Sequence, residues 1–168
     1  MKRKRKPGAR RPKPALSHVD TSGRVRMVDV GAKQQTAREA VARGRITVGQ
    51  EALREIRAGR VAKGDPLQTA RLAGILAAKR TSDLVPLCHP LPLSHVDVDI
   101  TREQTGYLIE SRVRTVAQTG VEMEALTAVA VAALTIYDML KALDKTMVIS
   151  EICVTEKRGG RSGEYIRK

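Results

Sequence analysis

The sequence predicts an α+β fold in which an antiparallel sheet is packed with helices on one face. Three observations carry this. Residues 94–103 alternate, with Val96, Val98 and Ile100 on one side and His95, Asp97 and Asp99 on the other. A Gln104-Thr105-Gly106 turn leads into a second strand, Tyr107 to Ala117, so the pair reads as a hairpin. Thr119 to Asp144 (TGVEMEALTAVAVAALTIYDMLKALD) reads as one long helix. Its middle, Ala125 to Ile136, holds only two polar residues, Thr127 and Thr135, and a helix that apolar all round is buried on more than one face. From Arg45 onward the order is strand, helical unit, strand, strand, helix, strand, which is the ferredoxin-like order.

The elements follow from local signals. Arg24 to Val30 alternates, with Val25, Met27 and Asp29 on one side, and is read as a strand or an ordered arm. Lys33 to Arg45 has a mixed pattern leading into a strand at Arg45-Ile46-Thr47. Thr47 and Gln50 form a capping-box pattern, which predicts a helix from Val48 to Ala58 stopping at Gly59. Asp65 is an N-cap with Pro66 in the first helical position. That helix should run to Lys79 or Arg80 with Leu67, Ala70, Ala73, Gly74 and Ala77 as its stripe. Prolines at 86, 90 and 92 make residues 81–93 irregular. Thr119 with Glu122 predicts a second capping box for the long helix, whose apolar run reads as too short to span a bilayer. Met147 to Glu156, with Val148, Ile152 and Val154, is the last strand. Helices on one face leave the other face in need of cover, and the long helix needs a second partner, so an oligomer is expected.

The chain has 168 residues, enough for one domain with a sizeable core. With no Trp or Phe and three Tyr, that core must be aliphatic. Of the net charge of +13, eight charges sit in residues 1–14, which contain no acid and three prolines, leaving +5 elsewhere. Residues 1–14 are therefore read as a disordered basic N-terminal arm, and 15–168 as a single catalytic domain. The arm is a solubilising extension or a nonspecific contact to polyanions; without interleaved aromatics it does not indicate base stacking. Arg10-Arg11 lacks a following apolar segment and so is not an export signal. Two cysteines make no disulfide framework, nothing reads as a membrane span, and the expected location is cytoplasmic.

Several residues could carry chemistry, each beside a plain structural alternative. His89 is hemmed by prolines, which suits a ligand-binding or proton-transfer group as well as a purely structural histidine. Cys88 adjoins it, but no second Cys-His cluster stands at ligand spacing, so no metal site is expected. Lys63 precedes a helix N-terminus, where it would meet a phosphate or simply solvent. Glu122 and Glu124 occupy the first turn of the long helix, a site for carboxylates by dipole alone. Asp138 and Lys141, three apart, share a face as an ion pair or as part of a site. Lys157 to Gly163 packs three cations and three glycines, suited to an anion, without the Gly-Lys-Ser order of a P-loop. Glu122 and Asp138 lie about 24 Å apart along a helix rising 1.5 Å per residue, so one small ligand reaches both only if a second subunit brings them together.

Larger motifs carry a resemblance. Met27-Val28-Asp29-Val30, Lys63-Gly64-Asp65, Ala77-Ala78-Lys79-Arg80-Thr81, Leu87-Cys88-His89-Pro90-Leu91, Gly120-Val121-Glu122-Met123-Glu124-Ala125, Thr135-Ile136-Tyr137-Asp138-Met139 and Gly159-Gly160-Arg161-Ser162-Gly163 are similar to the molybdenum cofactor biosynthesis protein C family, the cyclic pyranopterin monophosphate synthases. The similarity covers about Leu16 to Tyr165. It implies a lyase of ferredoxin-like fold that rearranges (8S)-3′,8-cyclo-7,8-dihydroguanosine 5′-triphosphate to cyclic pyranopterin monophosphate with release of pyrophosphate. It implies no cofactor, and a homohexamer, a trimer of dimers with sites at the dimer interfaces. Position by position, it makes Asp138 the active-site residue and Lys63 and Lys141 the acid and base. Leu87, Cys88, His89, Met123 and Glu124 would contact substrate, and Arg38, Glu122 and Lys157 would complete the pocket. The competing reading, a nucleic-acid or polyanion-binding module, calls for aromatic residues on the strands, which apart from Tyr107 the predicted strands lack.

Overall fold

The computed structural model describes residues 22–160 and 163–168. The basic arm, residues 1–14, and Arg161 and Ser162 lie outside the described residues. The elements are β1 (Thr36–Thr47), α1 (Gln50–Arg57), α2 (Pro66–Ala78), α3 (Thr81–Leu84), β2 (Leu93–Glu103), β3 (Gly106–Ala117), α4 (Glu122–Leu140), β4 (Ile149–Arg158) and β5 (Tyr165–Ile166). All strand pairs are antiparallel, and the sheet order is β2-β3-β1-β4-β5. The first four strands give the ferredoxin-like arrangement expected from the element order; β5 extends it beyond β4.

Alternation along the strands decides which side chains enter the core. Ala40, Ala42 and Ile46 of β1, Val98 and Ile100 of β2, and Ile109 and Val113 of β3 are buried. They meet Ala125, Ala128, Val129, Ala132, Ala133, Ile136 and Leu140 of α4. Two polar groups in this core are satisfied: Ser111 Oγ donates to Ala125 O at 2.7 Å, and Thr115 Oγ1 to Pro92 O at 2.6 Å. Close approach comes from missing side chains. A Cβ on Gly44 would lie 2.7 Å from Val129 Cγ1, and one on Gly74 would lie 2.9 Å from Ala128 O. Helix α2 thus seats against α4 through Gly74, while α4 seats on β1 over Gly44. By length and mean hydropathy, 19 residues at 1.5, α4 does qualify to cross a bilayer, contrary to the sequence expectation; half of it is buried between sheet and α2.

The opposite face of the sheet is charged. Arg43 pairs with Glu110 at 2.6 Å, Arg45 with Glu103 at 2.9 Å and with Glu151, and Glu39 with Arg112 at 3.1 Å and with Arg114. Val41 lies fully buried among these residues. Arginine and glutamate stems cover this face, so it does not present the bare apolar surface the layer count suggested. Strands β1–β4 contain one Phe, Trp or Tyr, the buried Tyr107, and β5 carries the exposed Tyr165.

Several local expectations are corrected. The strand read only at Arg45-Ile46-Thr47 begins at Thr36. Thr47 does not cap α1: its Oγ1 accepts from Val148 N at 3.1 Å, and the helix starts at Gln50 with Gly49 held by Asp144 Oδ2 at 2.7 Å. Thr119 does not cap α4, which begins at Glu122 with no side-chain cap and ends at Leu140, short of Asp144. The proline-rich stretch holds the one-turn α3. Val148, just ahead of β4, and Ile152 are exposed, and β4 carries an irregularity opposite Arg43–Arg45 where Glu151 adopts a φ of 55°. Asp65, by contrast, caps α2 as expected, accepting from Leu67 N at 2.9 Å and Gln68 N at 3.1 Å.

Filling the α2–α4 contact should be costly. Gly74→Val is expected to destabilise the fold by about 1–3 kcal/mol through overpacking, seen as a melting temperature lower by several degrees; an unchanged melt would show that α2 can retreat freely.

Candidate active site

The predicted residues assemble into two groups at opposite ends of α4. At its C-terminal end the turn Val61–Gly64, closed by Gly64 N to Val61 O at 3.0 Å with Gly64 at φ 93°, aims Lys63 at the helix. Lys63 Nζ donates to both Asp138 O and Asp138 Oδ2 at 2.9 Å. Lys141 Nζ lies 2.7 Å from Asp138 Oδ1. One carboxylate therefore holds two ammonium groups, and all three side chains are about half exposed. Hydrogen bonds from Lys141 and Lys63 lower the Asp138 carboxyl to about 2. The same carboxylate holds the Lys141 ammonium above its ordinary value. The apparent choice between an edge ion pair and a functional group thus gains a third member, Lys63, 75 residues away in sequence.

At the N-terminal end the irregular 85–92 segment and the start of α4 enclose a cavity of about 270 Å³. Val28, Val30, Lys33, Leu87, Cys88, His89, Leu91, Thr119, Gly120, Met123 and Glu124 line it. The helix contributes uncapped backbone amides here, which favours an anionic or polar ligand. Glu124 is 4% exposed, and burial, despite a hydrogen bond from its own backbone and aided by Glu122, raises its carboxyl. Burial first, then Glu124, also raises the Cys88 thiol, so the neutral thiol, a weak nucleophile, is favoured. His89 Nε2 sits 2.9 Å from Val28 O.

A wider groove of about 510 Å³ adjoins this cavity through Lys33 and Thr119, with Gln34, Thr36, Arg38, Gln118 and Gly160 as its other walls. Arg38 reaches Ala117 O and Gln118 O at 3.4 Å. Gly159 and Gly160, at φ 92° and 76°, press against it: a Cβ on Gly160 would lie 1.6 Å from Arg38 Nη1. Glu122, freed from the expected capping role, pairs with Lys157 at 3.2 Å and folds back over Gly120. Lys33, Arg38 and Lys157 bring cations to this end, around Glu124 and His89. Among the described residues no cluster of three or more His, Cys, Asp or Glu is arranged to hold a metal ion.

Leu87, Cys88, His89, Met123 and Glu124 thus share one cavity, and Arg38 borders the adjoining groove. Lys63, Asp138 and Lys141 form their own group, and the single chain leaves the two apart. Lys33, Val28, Thr119 and Gly120 were not singled out from sequence as site residues. Their signal lay in the Met27-Val28-Asp29-Val30 and Gly120-Val121-Glu122 motifs, which name the segments without naming the contacts.

Two titrations test the electrostatics. Asp138 titrates below its unfolded value, so its contribution is present above the unfolded value and lost as pH falls through about 2. Lys141→Met should move the Asp138 carbon-13 carboxyl titration up towards the ordinary carboxylate range. Glu124 titrates above its unfolded value, so its contribution is fully present at low pH and lost as pH rises through the folded value. Glu124→Gln should therefore melt higher than the parent at about pH 8 and converge with it near about pH 4; parallel stability curves would contradict the burial account.

The model of the MoaC family matches residues 27–160. The chain is 61% identical over 155 residues to the cyclic pyranopterin monophosphate synthase of Heliobacterium modesticaldum, covering 91% of this chain and 98% of that protein. The protein of the same name from Thermomicrobium roseum is also 61% identical over 155 residues, 91% and 93% of the two chains, and that of Desulfitobacterium hafniense is 54% identical over 154 residues, 91% and 94%. The chain belongs to the MoaC family.

Proposed function

We propose that this chain is a lyase of molybdenum cofactor biosynthesis that converts (8S)-3′,8-cyclo-7,8-dihydroguanosine 5′-triphosphate to cyclic pyranopterin monophosphate and pyrophosphate. The observation that carries the reading is that the chain is 61% identical over 155 residues to a cyclic pyranopterin monophosphate synthase, and every residue of both polar groups falls within residues 27–160, which the family model matches. Forming a cyclic monophosphate from a triphosphate requires a sugar hydroxyl to attack the α-phosphorus. The bond to the β-phosphate breaks as the new bond forms, pyrophosphate leaves, and a base takes the hydroxyl proton. Lys33, Arg38 and Lys157 suit the triphosphate and the charge that grows on the leaving group. Glu124, Cys88 and His89 suit the polar edges of the guanine-derived ring. Lys63 and Lys141, held on Asp138, suit proton transfer while the five-membered ring opens and the pyran closes.

Completion of the site by a second subunit is part of the proposal. About 24 Å of α4 separates Glu122 from Asp138, and exposed Leu72, Leu76 and Leu134 mark the helix layer as a surface for another copy. A homohexamer built as a trimer of dimers, with sites at the dimer interfaces and without membrane or nucleic acid as a partner, accommodates both facts. A cytoplasmic setting fits the two free cysteines.

Supplying the cyclic triphosphate and following pyrophosphate and the pyranopterin product tests the activity. Lys63→Ala or Lys141→Ala should each cut turnover by at least about 100-fold while the oligomer mass stays unchanged. Near-normal turnover in either variant would remove that lysine from the mechanism.

A further inference from the structure

The segment from Met27 to Lys33 crosses the substrate cavity as a strap. Its inward residues are Val28 and Val30, both half-buried and both in the cavity wall, whereas Val25 and Met27, expected on one side, are exposed. The strap ends in a tight turn: Lys33 N donates to Val30 O at 2.9 Å and Gly31 N to Asp29 Oδ1 at 2.8 Å. That turn delivers Lys33 to both cavities. Across the cavity, His89 Nε2 lies 2.9 Å from the Val28 carbonyl. A carbonyl can only accept, so Nε2 carries hydrogen, and in the neutral ring the lone pair resides on Nδ1.

The geometry points to Val28 as a positioning residue whose main-chain carbonyl fixes the ring of His89 and leaves Nδ1 as the nitrogen that serves the substrate. The inference rests on the function proposed above. The strap bond explains why a half-buried histidine on a proline-stiffened loop needs a second anchor: the prolines fix the backbone of the loop, not the rotation of the ring. It gives the strap two linked tasks, orienting His89 from one end and presenting Lys33 from the other. Nδ1 would then accept a hydrogen bond from, or take a proton from, an N–H or O–H of the guanine-derived ring.

Three variants of the full-length protein separate the two nitrogens. An asparagine amide occupies the place of Nδ1, and a glutamine amide reaches the place of Nε2. Hydrogen–deuterium exchange of the strap, residues 22–33, reads the anchor without any need for turnover. His89→Ala and His89→Asn should speed that exchange about fivefold, as for loss of one hydrogen bond, while His89→Gln should keep it near wild type. Turnover should rank the other way, with His89→Asn at least about tenfold above His89→Gln. Unchanged strap exchange in His89→Ala, or turnover of His89→Gln equal to or above that of His89→Asn, would overturn the proposal. A wild-type protein with no turnover on the cyclic triphosphate would refute the function while leaving the exchange result to judge the anchor.

Discussion

Helix α4 gives up water along its middle only because neighbouring backbones come within reach of it, through Gly44 on the sheet side and Gly74 on α2. Alanines at 125, 128, 132 and 133 complete the fit. Every charged residue of the helix, Glu122, Glu124 and Asp138, thereby lies near its ends. Burial of apolar area at roughly 25 cal/mol per Å² rewards the packed middle, and a charge placed there would go unpaired. The separation of Glu122 and Glu124 from Asp138 is the geometric consequence. It sets the length over which a site must be assembled.

The two ends solve opposite electrostatic problems with the same functional group. Glu124 lies buried, and burial raises its carboxyl. Asp138 lies in the open between two ammonium groups, and their hydrogen bonds lower its carboxyl to about 2. The two carboxyl groups are thus pushed apart by their surroundings, as the proposed division between recognition and proton transfer requires. Lys63 and Lys141 gain orientation from the shared carboxylate, and being half exposed they stay accessible to a ligand carried by another surface. The strap adds a main-chain counterpart at the other end, where Val28 O restrains an imidazole.

The strand alternation at 94–103, the Asp65-Pro66 start of α2 and the apolar middle of α4 were legible because each depends on neighbours in sequence. The caps were not. Thr47 and Glu122 stand at capping positions, yet each is taken by a partner far along the chain, Val148 and Lys157. The irregularity at Glu151 was not legible for a similar reason: it exists only in pairing with β1, and no pattern within β4 announces it. Family motifs named the residues that make up the two polar groups but not their grouping, since the Lys63–Asp138 contact joins positions 75 apart. Val28 escaped notice because the alternation of Arg24 to Val30 drew attention to Val25, Met27 and Asp29, and Lys33 because it lies past that segment, in a turn.

The central claim is that the two ends of α4 belong to one site completed across subunits, and mixing two crippled chains tests it most directly. Lys63→Ala damages one end and His89→Ala the other. If sites are shared across a two-fold interface, oligomers reassembled from an equal mixture regain intact sites and should recover about a quarter of wild-type turnover. A mixture as inactive as its two parents, with exchange of subunits verified by mass, would contradict the account and leave each end of α4 with a task of its own.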